Sequence, residues 1–215
     1  MTKSGVTGVL LAGGQSKRLG RPKYLLDFGG RPLGLRLLDE LRLVTPEVLI
    51  VANDPAPFRE WNTRVVPDRF PERGPLAGLH AGMAASGDSS AGILAVACDL
   101  PFFTARFGAF LVGLLPSYDA VIPRHGRLLE PLCAAYGPNA RQAMERVLES
   151  GRARVQDILP DLRVRYVDEE ERGPFGRDEV LFFNVNDTDD LAAARILWHQ
   201  RQLPARKVFE QLRRS

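Results

Sequence analysis

Leu11-Ala12-Gly13-Gly14-Gln15-Ser16-Lys17-Arg18-Leu19-Gly20-Arg21-Pro22-Lys23 follows directly on an apolar run at residues 6–11. A short continuous apolar run bounded by glycines has the character of a strand buried on both faces of a parallel sheet. The glycines after it let backbone N–H groups approach an anion closely, and Lys17, Arg18 and Lys23 add positive charge. The string is neither a Gly-Lys-Ser/Thr loop nor a GxGxxG fingerprint. On its residues alone it is either a phosphate loop or a basic surface turn. The chain has only four lysines against 25 arginines, and two of the four fall here. A compact, mobile ammonium suits a phosphate whose position changes.

Outward from this segment the pattern alternates. Strands are predicted at 47–52, 64–67 and 92–98. Helices are predicted at 33–44, where Leu35, Leu38 and Leu41 share a face with Leu37 beside them, and at 75–85 and 104–115. Strands alternating with helices make βαβ units. From residue 118 strands follow one another, at 118–123 and 128–136. A helix at 138–149 opens on Pro138 and stops before Gly151. The last strands are expected at 163–168 and 180–185, and the last helix at 187–200, with a break at Pro204. The fold class is therefore α/β: a Rossmann-like, doubly wound, mostly parallel sheet with helices on both faces and a mixed, less regular C-terminal half. Residues 1–203 read as one domain and 204–215 as a basic tail.

Length and charge bound what the chain can be. The 215 residues suffice for one full α/β core. The net charge of +3 is local: from Arg195 onward there are six basic residues and one acidic, and the rest carries −2. No general nucleic-acid surface follows. No apolar run reaches the ~18 residues of a membrane span. Cys98 and Cys133 form no CxxC pair, which fits reduced thiols in a cytoplasmic protein.

The residues after strand 1 resemble a family signature. LAGGQSKRLGRPK is similar to LAGGxSxRMGxDK of the molybdenum cofactor guanylyltransferases, with Leu19 for Met and Pro22 for Asp. The first change conserves volume; the second removes a charge beside Lys23. Further matches follow in order: Ala52-Asn53; Asp68 with Gly74-Pro75-Leu76-Ala77-Gly78; Ala97-Cys98-Asp99-Leu100-Pro101-Phe102; Glu130-Pro131-Leu132 with Tyr136; and Phe183-Asn184-Val185-Asn186, where Asp187-Thr188 replaces the usual Thr-Pro. They span residues 6 to 191.

The resemblance implies transfer of a GMP unit from GTP to molybdopterin using Mg²⁺; the oligomeric state is open, with a monomer expected. It divides the domain into a GTP-binding half, 1–116, and a pterin-binding half, 117–203. GTP contacts fall on Leu11, Ala12, Gly13, Lys23, Asn53, Asp68 and Asp99, catalytic roles on Lys23, Arg18 and Asp99, and the metal on Asp99. Arg152, Arg154, Asn184 and Asn186 are candidates for the pterin side. Each has a plain alternative: Asp99 as a turn or N-cap residue, Asp68 as a turn former, and the asparagines as pins for a strand end. His80, His125 and His199 lack metal-ligand spacing in sequence, and Cys98 has no His partner in its motif. Cytidylyl transfer to molybdopterin, nucleotidyl transfer to another phosphorylated small molecule, and a regulatory nucleotide-binding module are the competing readings.

Overall fold

The computed structural model describes residues 5–13, 19–70 and 73–202. Eight strands, β1 (Thr7–Leu11), β2 (Glu47–Val51), β3 (Arg64–Val66), β4 (Ile93–Ala97), β5 (Ala120–His125), β6 (Leu128–Leu129), β7 (Cys133–Tyr136) and β8 (Val164–Val167), form one sheet. The order β3-β2-β1-β4 is parallel throughout. β7 then enters antiparallel to β4 and β5, β6 is antiparallel to β5, and β8 is parallel to β5. The doubly wound first half and mixed second half match the sequence reading.

Strand alternation sends side chains to two cores. Leu10, Ile50, Leu94, Val96, Val121 and Ala135 face one side, with Leu33, Leu37, Leu38 and Leu41 of α1 (Leu33–Val44) and Phe107 and Leu111 of α3 (Ala105–Leu114). Leu33, rather than Leu35, completes the buried face of α1. Val9, Leu11, Ala95 and Ile122 face the other side, with α2 (Gly74–Ala85) and α4 (Ala140–Glu149). The small residues of α2 let it lie close on the sheet: a Cβ at Gly82 would stand 2.7 Å from a Val9 methyl. The turn entering α2 puts Gly74 at φ +64°, which favours glycine. The N-terminus of α3 is fixed by Thr104 Oγ1, which accepts from the Phe107 N–H, and by Glu40, which accepts from the Ala105 N–H.

Two sequence expectations are corrected. Residues 128–136 are not one strand: the Glu130–Leu132 turn splits β6 from β7, since Pro131 has no N–H to give the ladder. Residues 180–185 form no strand. Short helices α5 (Glu169–Arg172) and α6 (Asp178–Leu181), the second burying Val180 and Leu181, precede an irregular stretch that buries Phe182 and Val185. Its apolar run packs Phe182 on Phe107 at 6.0 Å without strand pairing; a short apolar run does not by itself tell a strand from other buried chain. The last helix, α7, runs Thr188–Gln202. The break at Pro204 and the basic tail lie outside the described residues. No helix among the described residues is long and apolar enough to cross a membrane.

His80, on α2, is 1% exposed, and neither ring nitrogen has a partner among the described residues. Its ring packs edge-on against Phe70. Burial pulls its pKa below the ordinary 6.5, with Arg69 and Arg141 acting the same way and Glu145 and Asp68 opposing. The unfolded chain therefore takes this proton first as pH falls. The stability held by neutral His80 is complete above about pH 6.5 and declines as pH drops toward the depressed folded value. We expect His80→Leu to lose less Tm than the wild type between about pH 7.5 and pH 5. Parallel Tm profiles for the two proteins would contradict this account of His80.

Candidate active site

Parallel pairing brings the carboxyl ends of β1, β2, β3 and β4 together, and a cavity of about 500 Å³ opens there. It is lined by Leu11 at the end of β1 with Ala12 and Gly13 beyond it, Asn53 after β2, Asp68 after β3, and Cys98 and Asp99 after β4. Part of this lining is committed to the fold. The Leu11 carbonyl accepts from Cys98 N–H at 3.1 Å, and Ala12 N–H donates to the Val51 carbonyl at 3.0 Å. Leu11 and Ala12 thus contribute mainly wall. Gly13 is exposed, and a Cβ placed on it would meet nothing within 4 Å.

Lys23 reaches back across the strand ends. Pro22 has the extended φ −59°, ψ 137° that precedes a short 3-10 turn at Lys23–Leu25, closed by bonds from Leu25 N–H to the Pro22 carbonyl and Leu26 N–H to the Lys23 carbonyl. The proline thus replaces a charge with a fixed turn entry. Lys23 Nζ donates to Asp99 Oδ2 at 3.0 Å and to Asn186 Oδ1 at 2.8 Å. Asn186 is brought there because Val185 N–H donates to the Asp99 carbonyl at 3.0 Å. Residues 23, 99 and 186 thus form one cluster from three distant segments. Asp99 Oδ1 is buried and has no hydrogen-bond partner among the described residues.

At the other end of the cavity Asn53 Oδ1 accepts the Asp68 N–H at 3.0 Å, and Asp68 Oδ1 accepts the Phe70 N–H at 2.7 Å. Burial raises the Asp68 pKa, against the pull of the Phe70 N–H and His80. Cys98 is buried beside Asp99, and burial first, then Asp99, pushes its thiol up to about 12. It stays protonated, which removes it as a nucleophile.

The other expected residues are not drawn in. Asn184 Nδ2 donates to the Phe182 carbonyl at 3.0 Å and so pins its own loop. Arg152 Nε donates to Ser150 Oγ, and no described hydrogen bond joins Arg152 or Arg154 to the cluster. The loop carrying them is tied instead to the entrance of α2 by Arg73, which donates to the Gly151 carbonyl at 2.6 Å. Arg18 lies outside the described residues. The sequence reading missed Tyr24 and gave Leu132 only as part of a motif, and both line the cavity; an aromatic immediately after Lys23 was the available signal for the first.

The matching family model, the MobA-like NTP transferase domain, covers residues 8–175. The chain belongs to that family. It is 39% identical over 191 residues, 89% of its own length and 92% of the relative's, to the probable molybdenum cofactor guanylyltransferase of Pelotomaculum thermopropionicum. It resembles the crystal structure of molybdopterin-guanine dinucleotide biosynthesis protein A from Archaeoglobus fulgidus with a TM-score of 0.77 at 26% identity, covering 91% of this chain and all of that one. It also shares its fold, at 15% identity and TM-score 0.68 over 92% of this chain and 99% of the other, with 4-diphosphocytidyl-2C-methyl-D-erythritol synthase from Anaerococcus prevotii. Nucleotidyltransferase families of this kind usually bind a divalent metal.

One further cluster in this MobA-like chain was invisible as sequence spacing. His125, Glu169 and Asp178 bring ligand atoms within 4.8 Å of one another. Asp178 is already occupied. Fully buried Arg172 donates to both of its oxygens, and also to the carbonyls of Arg124 and Val167. Burial by itself raises the Asp178 carboxyl, but the bonds from Arg172 and from His125, 2.6 Å away, outweigh it and hold the pKa below the usual carboxylate range. This ion pair anchors α6, from which the chain runs to Asn186. Removing one partner of a buried pair costs about 3–5 kcal/mol. Asp178→Leu should therefore lower Tm by roughly 10 °C in a chain of this size; an unchanged melting curve would show that the pair is not an anchor.

Proposed function

We propose that this chain transfers a GMP unit from GTP to the terminal phosphate of molybdopterin, releasing pyrophosphate and forming the guanine dinucleotide cofactor. The observation that carries the reading is the convergence of Lys23, Asp99 and Asn186 at one end of a cavity whose other end holds Asn53 and Asp68. Two strands, β2 and β1, lie between β3 and β4, so three strand spacings, roughly 14 Å, separate the loops carrying Asp68 and Asp99. A nucleotide laid along the strand ends then has its base at one and its phosphates at the other. The family and the activity named for its Pelotomaculum relative support the same reading.

In the reaction an acceptor phosphate oxygen bonds to the α-phosphorus of GTP while the bond from that phosphorus to the bridging oxygen of pyrophosphate breaks. The attacking oxygen is already an anion, so no protein nucleophile is required. Lys23 supplies positive charge where negative charge builds up, held in place by Asp99 and Asn186 rather than reorganised during the step. The Gly13 backbone admits close approach of a phosphate, and Arg18 is the proposed contact to the β- and γ-phosphates. Mg²⁺ fits the donor set: Asp99 offers a buried oxygen with no described partner, and Mg²⁺ takes one or two carboxylates with substrate phosphates. When bound, the ion supplies further charge on the α-phosphate. Asn186 is the acceptor-side residue that shares this cluster. The working state is a cytoplasmic monomer whose two cysteines are buried and unbridged.

The decisive assay is pyrophosphate release from GTP, expected only when molybdopterin and a divalent metal are both present. Asp99→Asn should abolish metal-dependent turnover with the circular dichroism spectrum intact. Full activity in a folded Asp99→Asn protein would remove Asp99 from the site.

Base choice rests on Asp68 and Asn53. Guanine presents a ring N–H and an amino group beside a carbonyl: two donors and an acceptor. A carboxylate accepts the donors, and the Asn53 amide N–H₂, its oxygen being engaged by Asp68 N–H, can meet the carbonyl. Cytosine would put a ring acceptor against the carboxylate. We expect roughly a hundredfold preference for GTP over CTP, below the limit for fully buried sites. Asp68→Asn should weaken GTP binding measured by calorimetry. Equal affinity for both nucleotides would instead favour cytidylyl transfer, leaving the phosphate end of the site untouched.

A further inference from the structure

Glu130 belongs to no part of the mechanism above, yet its backbone is among the most constrained near the site. Its N–H donates to the Pro123 carbonyl at 3.0 Å and its carbonyl accepts from Cys133 N–H at 3.1 Å. The next residue's carbonyl accepts from the fully buried Tyr136 hydroxyl at 2.7 Å, and the Leu132 carbonyl accepts from Ala97 N–H at 2.8 Å. This turn therefore rides on the last residue of β4, one step before Cys98-Asp99. Leu132 lines the nucleotide cavity, whereas Glu130 does not. The Glu130 carboxyl feels the charge of Asp99 on one hand and of His125, Arg172 and Asp178 on the other. The Glu130 turn bridges Pro123 of β5 and Ala97 at the end of β4, which places it beside the phosphate end of the nucleotide cavity.

The carboxyl is half-buried, and among the described residues it takes part in no hydrogen bond or ion pair. The basic groups of the neighbouring cluster are committed to other partners, Arg172 to Asp178 and two carbonyls and His125 to Asp178. A partly desolvated carboxylate without a protein donor is costly, and one beside a site calls for an explanation. Its negative charge, next to Asp99, repels the acceptor's phosphate. It attracts neutral N–H donors. We propose that Glu130 recognises the ring of the acceptor, accepting hydrogen bonds from the N–H and amino groups of a reduced pterin while that molecule's phosphate is held at Lys23. This rests on the acceptor being molybdopterin, as inferred above. Burial and the neighbouring Asp99 both raise the Glu130 pKa, as expected of a carboxylate short of donors.

The test compares Glu130→Gln and Glu130→Ala with the wild type in the GTP- and Mg²⁺-dependent reaction, alongside direct molybdopterin binding without GTP. A hydrogen bond to a charged group implies a rise of about ten- to hundredfold in molybdopterin KM and dissociation constant for the alanine variant, with a smaller rise for glutamine. GTP affinity should not move. Because an unpartnered carboxylate is removed, Tm should hold or rise. Unchanged molybdopterin binding, or a marked fall in Tm, which would mark a structural role, overturns the proposal. A wild type that neither binds nor uses molybdopterin overturns the acceptor assignment itself, whereas an active wild type with indifferent Glu130 variants overturns only this one.

Discussion

Leu11 stands opposite Val51 on one side of its strand and opposite Ala97 on the other. That register makes three strands end at one level, and the rest of the site depends on it. Each chain leaves the sheet at the same height, so Gly13, Asn53 and Asp99 emerge as neighbours although some 90 residues separate the first from the last. The register is specified by burial, since a slip by one residue would exchange Leu10 and Leu11 between the two cores. The loops beyond then continue the pairing with single bonds, from Ala12 to Val51, Ala52 to Val66 and Cys98 to Leu11. The floor of the cavity is thus an extension of the sheet and inherits its rigidity.

How much of this could be read from sequence follows from where each signal is stored. The first-half strands carry their signal locally, in apolar runs ending at glycine, asparagine or aspartate, and their positions held to within a residue or two. Residues 180–185 carried an equally apolar run and gave no strand, because their conformation is fixed by Arg172 and Asp178, charges whose pairing no periodicity reveals. Asn184 and Asn186 look equivalent two residues apart in sequence. Only the bond from Val185 N–H to the Asp99 carbonyl decides which of them meets Lys23. The family resemblance singled out Asp99, Lys23 and Asp68, which line one cavity, but it could not show that Arg152 and Arg154 ride on a loop tied to α2 through Arg73.

The cost of gathering charge at the strand ends is offset inside the cluster itself. Asp99 and Lys23 are each about four-fifths buried and neutralise one another, while the amide oxygen of Asn186 takes a further ammonium proton. Such a pair contributes little net stability, because desolvation consumes most of the attraction. What it provides is a fixed position for a charge that a phosphate can share. A surface lysine would have to give up its side-chain freedom on each binding event, whereas Lys23 has lost it on folding.

The two halves of the chain differ in what their charged groups are left to do. In the second half Arg124 is spent on Asp168, Arg146 on Asp161, Arg163 on Asp119, Arg165 on Glu171 and Arg172 on Asp178. The Asp119 carboxyl, bonded by the Arg163 side chain and backbone and by Asn139, is held down at about 2. Arginines committed in this way are poor phosphate receptors, since binding a ligand would strand their partners. Arg152 and Arg154 have no acidic partner among the described residues, but they ride on a loop tied to α2 through Arg73 and not on the strand ends. That leaves Lys23 and Asp99, at the strand ends, as a charged pair that opens on the cavity, within a fold this chain shares with a protein only 15% identical to it.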